Sequence, residues 1–159
     1  MIQRVQTIFL FLVAVFMLLV LYFPIWTQIN PTMTETMTLT AWSLTVVDIA
    51  EQGVVSTTST IYIALMAVIA ALIAIYSLSQ FKNRKKQMML NMINSLVMVI
   101  TLGTIVFLTM NANEEFGGQD TGAYMAGFYV IIFAMLMNIV SNRFIRKDEM
   151  LVRSVDRIR

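Results

Sequence analysis

The chain has 159 residues, of which 58% are hydrophobic and 13% charged, with a net charge of +2. A soluble domain carries roughly 25% charged residues, so this composition is that of a membrane protein about one domain long. There is no Cys and no His, which removes thiol nucleophiles, disulfides, acylated cysteine anchors, the usual zinc and haem ligands and the one side chain that titrates unperturbed near pH 7.

Crossing a bilayer takes about 20 apolar residues, at 1.5 Å per residue over roughly 30 Å of hydrocarbon. Four uncharged runs meet that length, at about residues 5–23, 60–81, 88–110 and 121–142. Lipid cannot satisfy backbone polar groups, so each run is expected to be a helix. The fold class expected is therefore an all-α integral membrane protein with four transmembrane helices. The first run follows Arg4, but no A-x-A-like cleavage site appears in the FPIWTQIN after it, so it is expected to remain as an anchor.

Residues 25–59 are long for a plain connection and short for a core of their own. Within them TMTETMTLTAW alternates Thr with Met, Glu, Leu and Ala at period two, which predicts a strand. A second strand is placed at residues 43–48 or 54–58, giving a small β-like segment over the helix ends. Trp26 and Trp42, with Tyr22, Phe23 and Tyr62, suit an interfacial aromatic belt.

The second run places Ala64, Ala67, Ala71 and Ala74 on one face, and the fourth offers the small pairs Gly122/Ala126 and Ala123/Gly127, all suited to close helix packing. Polar residues gather at one depth. Asn91, Asn94 and Ser95 in the third run, and Asn138, Ser141 and Asn142 in the fourth, are interhelical glue or the wall of a polar cavity. No span holds an ionisable group and none is broken by Pro, which weakens a channel or carrier reading. The loop NANEEFGGQD lacks the spacing of a calcium loop. The run Met88, Met89, Met92 is pliable packing rather than a copper site. Asp48 and Glu51 are the nearest approach to a catalytic pair, and no enzyme, metal or cofactor is expected.

All 11 basic residues lie at three places: Arg4; Lys82, Arg84, Lys85 and Lys86 between the second and third runs; and Arg143, Arg146, Lys147, Arg153, Arg157 and Arg159 at the end. The two other connections hold none, yet contain Glu35, Asp48, Glu51, Glu114, Glu115 and Asp120. Cytoplasmic loops are the positive ones, so both termini are expected inside, with residues 25–59 outside.

The final stretch, RKDEMLVRSVDRIR, makes up most of a charged cytoplasmic tail over residues 143–159 and carries an apolar stripe of Leu151, Val152, Val155 and Ile158 at helical spacing. This predicts a short amphipathic helix, marginal in water unless it lies on something. Anionic lipid headgroups, the chain's own loop and a protein partner compete as that surface; the mixture of basic and acidic residues favours the partner. The docking residues expected are Lys82, Arg84, Lys85, Lys86, Arg146, Lys147, Leu151, Val152, Arg153, Val155, Arg157 and Ile158. The alternative function is a small permease, channel or lipid-handling protein working through Asn91, Asn94, Ser95, Asn138 and Asn142. Nothing points to nucleic acid.

Three stretches, MIQRVQTIFLFLVAV, FKNRKKQ and IRKDEMLVRSVDRIR, resemble the start, middle and end of domain-of-unknown-function family 4293. The resemblance implies a small four-helix inner-membrane protein of the Bacteroidota, and brings no activity, substrate or catalytic residue with it.

Overall fold

The structure, a computed structural model, describes residues 2–81, 83–115 and 122–156, with side chains over 6–81, 83–114 and 122–151. Four helices, α1 (Ile2–Leu19), α2 (Ile61–Ser79), α3 (Arg84–Glu115) and α4 (Ala126–Asp156), surround a common core. Five strands, β1 (Trp26–Ile29), β2 (Glu35–Leu39), β3 (Ser43–Asp48), β4 (Val54–Ser59) and β5 (Ala123–Tyr124), form one antiparallel sheet.

This overturns the all-α, four-span expectation. The sheet has the order β4-β3-β2-β1-β5, and its last strand comes from the distant connection between α3 and α4. Among the described residues, three helical stretches are long and apolar enough to cross a membrane: Ile61–Ser79, Arg84–Glu114 and Ala126–Leu151; the described part of the first helix gives the shorter apolar stretch Gln6–Leu19. It ends early because Leu21 and Tyr22 switch to the tighter bonds Leu21 N to Leu18 O and Tyr22 N to Leu19 O, and Pro24 then prevents its resumption. Nor is the C-terminal helix separate. With no Gly or Pro after Gly127, α4 runs on through the charged segment to Asp156.

Alternation sorts the sheet's two faces. Met37 and Leu39 are buried against the helix ends with Trp26 and Val46, whereas Thr27, Thr36, Thr38 and Thr45 lie in the alternate register positions. Trp26 is 1% exposed, so it belongs to the core rather than to an aromatic belt. Trp42, half exposed, donates from its indole N–H to Leu21 O at 2.9 Å and ties β3's approach to the end of α1. The β3–β4 turn uses Asp48, whose carboxylate accepts from Ala50 N and Glu51 N at 2.8 and 3.1 Å. Asp48 is therefore a turn-forming residue.

The helices pack in a ring, α1 on α2, α2 on α3, α3 on α4 and α4 back on α1. The buried face of α2 is made of Ile63, Ala64, Ala67, Ala70, Ala71, Ala74 and Ser77, so its two neighbours approach closely. The glycines of the fourth run act differently from expectation. Gly122 lies against the Trp26 ring of β1 and Gly127 against the Phe23 and Pro24 carbonyls, so the first serves the approach of the β5 segment to β1 and the second that of α4 to the turn after α1, rather than helix pairing.

Candidate functional site

Buried positions on α3 recur every three or four residues, at Gln87, Asn91, Asn94, Met98, Thr101, Ile105, Thr109 and Ala112. Outward positions include Met89, Met92, Ile93, Leu96, Val99, Ile100, Val106, Phe107 and Met110, all exposed. The helix is polar inside and apolar outside. In water this would strand a large apolar surface, whereas in lipid it is the expected arrangement.

At the end remote from the sheet, the polar side chains form a layer. The Ser77 hydroxyl donates to Asn91 Oδ1 at 2.7 Å, and Gln87 Nε2 donates to Ser77 O at 3.2 Å. Asn138 Nδ2 bridges to α3, donating to Asn91 O and to Ser95 Oγ, each at 2.8 Å. The structure thus brings together Asn91, Ser95 and Asn138. Asn94 is fully buried, and neither its Nδ2 nor its Oδ1 has a partner among the described residues. The same holds for both polar atoms of Gln6 and for Ser141 Oγ. Asn142 is only partly buried and lines a cleft at the edge of the layer.

Sequence reasoning missed Gln6, Ser77 and Gln87. Their signal was periodic: Gln6 begins the buried series Leu10, Val13, Ala14 and Met17 on α1, Ser77 ends that of α2, and Gln87 begins that of α3.

The basic residues read as a loop between the second and third runs lie mostly in the first turn of α3. Asn83 caps it, its Oδ1 accepting from Lys86 N at 3.2 Å. Lys86 Nζ reaches Tyr76 OH at 3.0 Å, while Lys85 is exposed. Arg84 Nη2 lies 3.0 Å from Asp148 Oδ2, an ion contact without a well-directed hydrogen bond. It is the one ion pair among the described residues, and it holds the charged end of α4 to the start of α3. Arg146, Lys147 and Leu151 are exposed on α4. Val152, Arg153 and Val155 are helical in backbone, with side chains outside the described set; Lys82, Arg157 and Ile158 lie outside the described residues altogether.

Replacing Arg84 by Gln is expected to cost up to about 1 kcal/mol of stability, as for a pair near the surface. The clearer effect is local: amide exchange over the last two turns of α4 accelerates, and the Asp148→Asn change reproduces it.

The family profile of a domain of unknown function, DUF4293, matches residues 2–158, and the chain belongs to that family. A comparison with curated proteins gave no match.

Proposed function

We propose that this DUF4293 member is a non-enzymatic accessory or assembly subunit of a bacterial inner-membrane complex, docking a protein partner at the helix ends remote from its sheet. The observation that carries this reading is the unbroken course of α4, whose 31 residues make a rod of about 46 Å. Roughly 30 Å of hydrocarbon leaves about 15 Å projecting, and the Arg84–Asp148 contact fixes the direction in which it projects. A topology signal needs only positive charge, whereas here a rigid helix presents both signs.

Charge supports the orientation. Arg84, Lys85, Lys86, Arg143, Arg146 and Lys147 lie at one end, while Glu35 and Asp48 in the sheet and Glu51 in its β3–β4 turn lie at the other. By the positive-inside tendency, the first end and both termini are cytoplasmic and the sheet is outside.

The test is a pull-down from mildly solubilised native membranes, comparing the full chain with one truncated after Asp148, which keeps the Arg84 contact. Defined proteins should accompany the full chain and disappear with the truncation. Identical lists would end the docking reading. A second reading, a small permease or lipid-handling protein, is favoured by the unpartnered buried atoms of Asn94 and Ser141. It requires Asn94→Leu and Asn138→Leu to abolish the phenotype while the truncation is tolerated.

A further inference from the structure

We propose that the cleft between α3 and α4 binds one anionic phospholipid, with the phosphate held by Arg143 and Arg146 and an acyl chain laid along Met88, Met89, Met92 and Ile139. The proposal uses the membrane orientation given above but not the docking of a partner.

The cleft is an open groove with a volume of about 510 Å³, lined by Met88, Met89, Met92, Ile139, Asn142, Arg143 and Arg146. Its chemistry is ordered along the helix axes. The Asn138–Asn91 bond sets the neighbouring Ile139 and Met92 at one level. From there α4 runs outward to Arg143 and Arg146, past Met89 and Met88 on the antiparallel α3. The apolar part lies deep and the cationic part at the mouth.

Depth agrees with a lipid. From Ala126, at the sheet end of α4, Arg143 is about 26 Å along the axis and Arg146 about 30 Å, which is the thickness of the hydrocarbon layer and places both guanidinium groups at the phosphates. Met89, Met92 and Ile139 are 56%, 73% and 52% exposed at the level of the acyl chains. Flexible thioether side chains adapt to a chain of variable shape. An arginine fork donates paired N–H bonds to phosphate oxygens.

Charge complementarity selects the headgroup. The lining holds two Arg and no acid, and the one ion pair among the described residues engages Arg84 and Asp148, not Arg143 or Arg146. On the other side of Arg143, a second cleft of about 400 Å³ is lined by Val140, Arg143, Phe144 and Lys147, so the cationic rim continues around α4. A lining of one sign over a lateral apolar groove fits an anionic lipid better than a mixed protein surface.

The test is native mass spectrometry of the full chain in mild detergent, titrated with phosphatidylglycerol and with phosphatidylcholine of the same acyl chains. The first phosphatidylglycerol should bind about 10-fold more tightly or better. Combined Arg143→Gln and Arg146→Gln should reduce it to the phosphatidylcholine level, while Lys85→Gln with Lys86→Gln leaves it unchanged. Met92→Trp, which fills the groove from an exposed position, should weaken both lipids; thermal midpoints show that each variant is folded. Equal binding of the two lipids, or no response to the arginine changes, overturns the proposal and identifies ordinary boundary lipid. Full displacement by millimolar inorganic phosphate also overturns it, since the site would then be one for a free anion. None of these variants removes residues 149–159, so a failure here is distinct from a failure of partner docking.

Discussion

Gly127→Val is expected to break the junction between sheet and helices, lowering stability by about 3 kcal/mol or more. A Cβ at this position would stand 2.8 Å from Pro24 O, 2.9 Å from Phe23 O and 3.0 Å from Ile25 Cγ1. Two of these atoms are backbone, so relief requires movement of the whole turn after α1. That turn is fixed from both sides: Gly127 N donates to Pro24 O at 2.9 Å, Met125 N to Ile25 O at 2.8 Å, and Ile25 N to Leu39 O at 2.8 Å. A shift of α4 therefore pulls on β1 and, through it, on β2. Gly103→Ala is the matched control, because nothing lies within 4 Å of its added methyl group and it sits inside α3; there the change should be neutral or stabilising by up to about 1 kcal/mol. Thermal unfolding of both variants in detergent distinguishes the outcomes, and equal midpoints would mean that the junction is not the rigid element described.

The long helices were legible because apolar runs of 20 residues or so have few other uses. The stretch TMTETMTLTAW contains β2, and its period-two alternation corresponds to the separation of Met37 and Leu39 from Thr36 and Thr38. The extent of the sheet was not legible. Strand β1 has four residues and β5 two, too few for a period; β1 forms along β2, and β5 only because β1 lies beside it through Trp26↔Tyr124 and Thr27↔Ala123. Such strands are tertiary facts with almost no local signal. The end of α1 was misjudged for a related reason: Val20 to Phe23 are apolar enough to continue a span, but their backbone turns to meet the sheet. The glycines near α4 illustrate the same limit, since small residues four apart suit helix pairing equally well before the Trp26 ring is known to occupy the space. In the candidate site, Asn91, Asn94 and Asn138 were legible as polar residues at one depth. Gln6 and Gln87 lay at the edges of the assumed spans, where a polar residue looks like solvent-facing chain and attracts no notice.

Within the polar layer, two substitutions are expected to differ: one destabilises the protein and the other does not. Asn138→Leu removes both donor contacts to α3, to Asn91 O and Ser95 Oγ, and should cost about 1–2 kcal/mol, given roughly 0.6 kcal/mol for an average interhelical bond in a membrane and up to about 1.7 for the best. Asn94→Leu removes no bond to any described residue, since neither of its polar atoms has a partner among them. Asparagine and leucine are similar in size, and a buried amide without partners carries a desolvation penalty of about 1–3 kcal/mol. Its replacement should therefore be neutral or stabilising. The measurement is the unfolding midpoint of each variant and of the double variant in the same detergent. A loss for Asn138→Leu with none for Asn94→Leu identifies the layer as a packing device in which Asn138 is the clasp between α3 and α4, leaving function to the charged end of α4. If Asn94→Leu instead destabilises the protein as much as Asn138→Leu, its amide is satisfied by something polar that enters from the helix ends. The layer is then a wetted cavity, and the permease reading displaces partner docking.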